Sequence, residues 1–103
     1  MPTLITMRAP PRLKTSFGDK DLVTSATSLK LAGEATDEER VQDLYIFVNE
    51  KKTYYKSNRD KKFGPSLAFD ANIPLTKGKN RILVVARADK ELNNRLVLMV
   101  LRR

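Results

Sequence analysis

Apolar side chains recur at every second position in several separate stretches of this 103-residue chain. Leu44, Ile46 and Val48 alternate with Tyr45 and Phe47, and Ile82, Val84 and Ala86 alternate with Leu83, Val85 and Arg87. Leu67, Phe69, Ala71 and Ile73 form a third set, and Leu29 with Leu31 a fourth, set against Ser28, Lys30 and Ala32. Successive side chains of an extended strand point to opposite faces, so each stretch presents one apolar face that has to be covered. No stretch shows the three-and-four spacing of an amphipathic helix. Strands of this kind bury their faces by stacking as two layers.

Turn signals separate the strands. Leu4 to Arg8 is a short extended segment ended by Pro10-Pro11, since proline has no N–H for a ladder. A further short strand is expected near Leu13, and another from Leu22 to Ser25. After Gly33 comes the acidic turn Thr36 to Arg40, and Asn49 to Lys52 is expected to be a hairpin connection into Thr53 to Lys56. Ser57 to Pro65 reads as a basic loop, followed by turns at Lys77-Gly78 and Asp89 to Asn94. The run from Leu96 to Leu101 is apolar at every position, so it is either central in a sheet or covered on its outside. The expectation is an all-β antiparallel sandwich of about seven strands, with Leu29, Leu31, Leu44, Ile46, Val48, Phe69, Ile73, Ile82, Val84 and Ala86 in its core. Residues 1–103 read as one domain, in which 1–21 supply an edge strand and connection and 22–103 the main sandwich.

Composition narrows the chemistry. There is no histidine and no cysteine, which excludes a Ser-His-Asp triad, a Cys-His pair, a disulfide framework and thiolate or imidazole metal ligands. The apolar runs fall short of the roughly 20 residues of a membrane helix. The first residues, Met1-Pro2-Thr3-Leu4, lack the layout of a signal peptide, although an excised domain would look the same. A net charge of +8 raises the question of nucleic acid or another acidic surface.

Some of these residues also resemble a known family. Gly33-x-Ala35-x-Asp37, the strand end Phe47-Val48-Asn49, the return Lys51-Lys52-x-Tyr54-Tyr55 and Leu75-x-x-Gly78-x-Asn80-x-Ile82-x-Val84-x-Ala86 are similar to the glucodextranase-type immunoglobulin-like domain of secreted bacterial proteins. The run from Asp43 through Arg59 resembles that domain in one setting, C-terminal to the protease and PDZ domains of proteobacterial tail-specific (carboxy-terminal processing) serine peptidases. Pro10 to Leu13 and Val100 to Arg103 resemble the ends of that module. The resemblance implies an immunoglobulin-like fold, a periplasmic or extracellular location and a structural role beside a catalytic part carried elsewhere. It implies no cofactor.

Three constellations bear on function. Tail-specific peptidases use a serine with a lysine base, and Ser28 with Lys30 or Lys56 with Ser57 would supply the residue types. A lysine base has to be buried to lose its proton, whereas these are expected on strand faces, so no catalytic residue is assigned. Asp37, Glu39 and Asp43, with Glu34 and Glu38 beside them, are weak candidates for a cation site. Calcium needs six to eight oxygens from a loop folded round it, and Arg40 interrupts this one. Lys51, Lys52, Tyr54, Tyr55, Lys56, Arg59, Lys61 and Lys62 interleave cations with rings, as a docking or polyanion surface would. The same lysines also suit the protection of a sheet edge. The partners expected are the other domains of a parent protein, or a peptide added to an edge strand, with nucleic acid disfavoured. Tyr45, Phe47, Leu83 and Val85 form an apolar patch on the non-core face, open for docking or covered by the segment Leu4 to Leu13.

Overall fold

A computed structural model describes residues 11–17, 21–37, 41–58, 65–88 and 93–103. The described residues form eight strands: β1 (Arg12–Thr15), β2 (Leu22–Thr24), β3 (Ser28–Thr36), β4 (Asp43–Val48), β5 (Lys51–Ser57), β6 (Ser66–Pro74), β7 (Gly78–Arg87) and β8 (Asn93–Arg102). They build two sheets, one ordered β1-β3-β6 and the other β2-β8-β7-β4-β5. Among the described residues no helix is long and apolar enough to cross a membrane.

The alternation seen in the sequence is the burial pattern of the sandwich. Leu31, Leu44, Ile46, Ile73, Ile82 and Val84 are fully enclosed between the sheets. Ile46 and Val84 are direct cross-strand partners there. Val48, Phe69 and Ala86 join them, while Leu29, expected in the core, is only partly buried at the start of β3. Leu67, Leu75, Leu98 and Val100 extend the same core, as does Val41 just ahead of β4. Gly33 sits opposite Phe69 in the β3–β6 ladder, and the aromatic ring lies where a side chain on Gly33 would go.

The expectation of a wholly antiparallel sandwich needs one correction. The chain leaves the three-stranded sheet after β1, crosses over, and β2 pairs in parallel with β8, Leu22 opposite Val100 and Thr24 opposite Arg102. β1 and β2 are thus short edge strands, one on each sheet, and short edges limit the exposed ladder groups. The hairpin after β4 is also tighter than expected. Asn49 and Glu50 alone make the turn, with φ of 50° and 71°, and Lys51 already belongs to β5. Two residues at positive φ give a turn whose twist matches that of the flanking strands. Of the acidic turn, Glu38 to Arg40 lie outside the described residues, as do Leu4 to Arg8.

Candidate docking face

β8 lies inside its sheet, between β2 and β7, and its two faces have different fates. Leu98 and Val100 are buried, while Val97 and Leu101 are each 38% exposed on the outside. The outer face of the five-stranded sheet is organised by register into rows. Val97, Leu83, Phe47 and Lys52 line up across β8, β7, β4 and β5. The next row is Arg95, Val85, Tyr45 and Tyr55, followed by Asn93, Arg87, Asp43 and Ser57. Towards the other end, Met99 opposes Arg81, Leu101 opposes Lys79, and Val23 of β2 flanks Leu101 at 58% exposure. One half of the face is therefore aliphatic and open, and the other is polar and aromatic.

The polar half is internally engaged. Asp43 is nearly fully buried, and Arg87 donates to it from Nε to Oδ1 at 2.7 Å and from Nη2 to Oδ2 at 2.5 Å. The hydroxyls of Tyr55 and Tyr45 donate to the same Oδ2 at 3.2 and 3.4 Å. Hydrogen bonding to Asp43 raises the pKa of Arg87 above the ordinary guanidinium value. Burial, and then the nearby Asp43 charge, raise that of the Tyr45 phenol. Lys52 Nζ lies 4.7 Å from the Tyr45 ring centre and 4.8 Å from that of Tyr55, and the Arg87 guanidinium lies 4.9 Å from the Tyr45 ring. The faces of these rings are thus occupied by the protein's own cations.

The candidate surface includes both Tyr54 and Tyr55, but neighbours on a strand point to opposite faces, and β5 separates them accordingly. Tyr55 is 44% exposed on the outer face, whereas Tyr54 turns inward and packs against the core. Burial raises the Tyr54 pKa, with its hydrogen bond to the Asp70 backbone opposing that rise. Lys56 Nζ donates to the Ala68 carbonyl at 2.7 Å. Both contacts fall on the backbone of β6, an edge strand of the other sheet. Side chains of one sheet's edge therefore occupy polar groups on the edge of the other, which closes part of the site that strand addition would need. On β5 itself, the register shift between Ile46 and Phe47 leaves Thr53 out of the ladder and breaks that edge. Lys51 and Lys52 are exposed, and Arg59, Lys61 and Lys62 lie outside the described residues.

The other candidates are placed as follows. Asp43, a weak cation candidate from sequence, faces Arg87, and a guanidinium in that position competes with any metal. Asp37 is buried, Glu39 lies outside the described residues, and no three acidic side chains converge among the described residues. Lys30 is exposed on β3 and so lacks the burial that a base requires. Leu13 packs on the core and does not cover the outer face.

Sequence reasoning named Asn80 as a motif position without giving it a role, and it is fully buried. Its Nδ2 donates to the carbonyls of Thr76, Gly78 and Val100, and its Oδ1 accepts from Thr76 N and Oγ1 and from Asn49 Nδ2. Asn49 in turn exchanges bonds with Arg81, its backbone N donating to Arg81 O and its Oδ1 accepting from Arg81 N, both at 2.9 Å. The signal was available, because Asn80 has the same parity as Ile82 and Val84. A polar residue at a core position has to belong to a satisfied network.

No protein-family model matches this chain, and no curated protein matches it. Among solved structures, the fibronectin(III)-like modules of Clostridium thermocellum CbhA share its fold with a TM-score of 0.65 at 13% identity, over 95% of this chain and 49% of that one. This chain therefore spans about half the length of that structure. The CARDB domain of the PF1109 protein from Pyrococcus furiosus, solved in complex with di-metal ions, gives a TM-score of 0.54 at 13% identity, over 95% of this chain and 100% of that one. At that identity the likeness concerns architecture, and the chain is an all-β, two-sheet sandwich of the immunoglobulin and fibronectin-III kind.

Proposed function

We propose that this chain is a non-catalytic accessory module of a larger exported bacterial protein, packing against or spacing a catalytic part. The observation that carries the reading is the open aliphatic half of the outer sheet face, from Val23 across Leu101 to Val97. An exposed apolar patch on a soluble fold marks a surface that meets another surface. The two neighbouring folds are consistent with a module embedded in a longer chain. The resemblance of residues 43–59 to the segment after the PDZ domain of tail-specific serine peptidases makes such a peptidase the parent we favour, in the periplasm or outside the cell.

A polyanion-binding role for the Lys51 to Lys62 stretch is less well supported, since Tyr54 is turned to the core and Lys52 caps the rings of Tyr45 and Tyr55. A carbohydrate platform meets the same obstacle and has no tryptophan to build on. The test is the full-length reading frame and its product. We expect protease and PDZ domains upstream, peptidase activity in the whole protein, and none in the purified chain. Cleavage of an unfolded substrate by this chain alone, abolished by one serine substitution within it, would refute the proposal.

A further inference from the structure

The aliphatic half of the outer face is ringed by exposed cations, and among the described residues Lys79, Arg81 and Arg95 form no ion pair with an acid. Lys79, Arg81 and Arg95 are exposed on β7 and β8, beside Leu101, Met99 and Val85 respectively. Lys52 stands at the far end of the row that contains Val97. On this face Asp43 is the buried acid and is already joined to Arg87. Near β2 the surface dips into an open, mostly apolar hollow of about 330 Å3, lined by Leu22, Val23, Met99 and Leu101 together with Asp21 and Lys79.

Resting on the accessory-module reading, we infer that this face docks an acidic protein surface of the parent, in which an aliphatic or methionine side chain enters the hollow and carboxylates meet Lys79, Arg81 and Arg95. The chemistry of the occupant follows from complementarity. Apolar area at the centre supplies the affinity, and opposite charge at the rim fixes orientation and rejects other partners. A second copy of this chain fits badly, because two such faces would oppose cation to cation. Nucleic acid would neutralise the cations but leave the aliphatic side chains without a partner, and it is bound by stacking on rings that here carry Lys52 and Arg87.

The test is carbodiimide coupling of the full-length protein, which joins a lysine amine directly to a carboxylate in contact with it, followed by mass spectrometry. The expected result is Lys79 or Lys52 linked to aspartate or glutamate of another domain. These links should fall at least tenfold in a variant carrying Arg81→Glu and Arg95→Glu, both at exposed sites, whose circular dichroism is unchanged. They should fall similarly when coupling is run at high salt. Full-length protein in which neither lysine links to another domain overturns the partner assignment and leaves the accessory-module reading standing. So do links joining an isotope-labelled copy of this chain to an unlabelled one. Protection of these lysines by a single-stranded oligonucleotide at physiological salt points to the polyanion instead and also overturns it. A reading frame that encodes this chain and no further domain defeats the accessory-module reading itself.

Discussion

Arg87 of β7 and Asp43 of β4 stand directly opposite each other in the ladder and are joined by two side-chain hydrogen bonds on the outer face of the sheet. The carboxylate is almost wholly buried while the guanidinium keeps about a third of its surface in water. The pair thus leaves little of the carboxylate exposed, and it uses the remaining acceptor capacity of Asp43 to hold two tyrosine hydroxyls.

Removing the acid should hurt more than removing the pair. Asp43→Ala strands a partly buried guanidinium and two phenols, and we expect a loss of about 1.5–3 kcal/mol, the range for hydrogen bonds to charged groups. The double variant Asp43→Ala/Arg87→Met should lose less than the sum of the single changes, because each single change leaves the other group unpaired. Urea denaturation of the four proteins measures the coupling, and strict additivity would mean that the pair contributes nothing specific.

Two glycines should respond to alanine in different ways. At Gly33 a new Cβ would lie 2.2 Å from the Lys14 carbonyl and 2.6 Å from Cζ of Phe69, so backbone or core has to move. At Gly78 nothing lies within 4 Å, but φ is +96°, which penalises any side chain. Gly33→Ala should cost several kcal/mol by overpacking, and Gly78→Ala about 1 kcal/mol. Thermal unfolding of both variants should give that order.

Asn80 separates shape from hydrogen-bond polarity. Asn80→Asp keeps the volume but presents a carboxylate oxygen to the carbonyls of Thr76, Gly78 and Val100 that the amide now satisfies as a donor. We expect it to be more destabilising at pH 7 than Asn80→Ala, since burying an unpaired charge costs more than losing a bond. The gap should narrow in acid, where the introduced carboxyl regains a proton and can donate. Equal losses at both pH values would remove the polar network as the reason for Asn80.

Tyr54 and Tyr45 predict a loss of stability in alkali. Both phenols titrate above the usual tyrosine value of about 10, chiefly because burial disfavours the phenolate. Above that value the unfolded chain gives up these protons first, so it binds fewer than the folded state and stability falls as pH rises. Their contribution is complete below pH of about 10 and disappears as pH climbs through the raised folded values. Denaturation midpoints between neutral and alkaline pH should fall less steeply in Tyr54→Phe than in the parent sequence. Absorbance of the phenolate near 295 nm should show delayed ionisation in the folded protein.

Much of the fold was legible because alternation is a local property. The parity of Leu44, Ile46 and Val48 assigns them to one face whatever strand lies beside them, and the same argument placed Tyr45 and Phe47 outside. Parity does not say which sheet a strand joins. The switch from β1 in one sheet to β2 in the other, the parallel pairing of β2 with β8, and the partial burial of Leu29 depend on partners far along the chain. The candidate site divides in the same way. That β5 would carry exposed lysines was readable from its residues. That Lys56 would reach the Ala68 carbonyl, that β5 would bulge at Thr53, and that Asp43 would find Arg87 required the three-dimensional register. Sequence by itself determined which side chains must leave water, since burial of apolar surface follows from composition and period. Only the tertiary structure decided which polar groups meet, because hydrogen bonds and ion pairs act over a few ångströms between residues that the chain holds far apart.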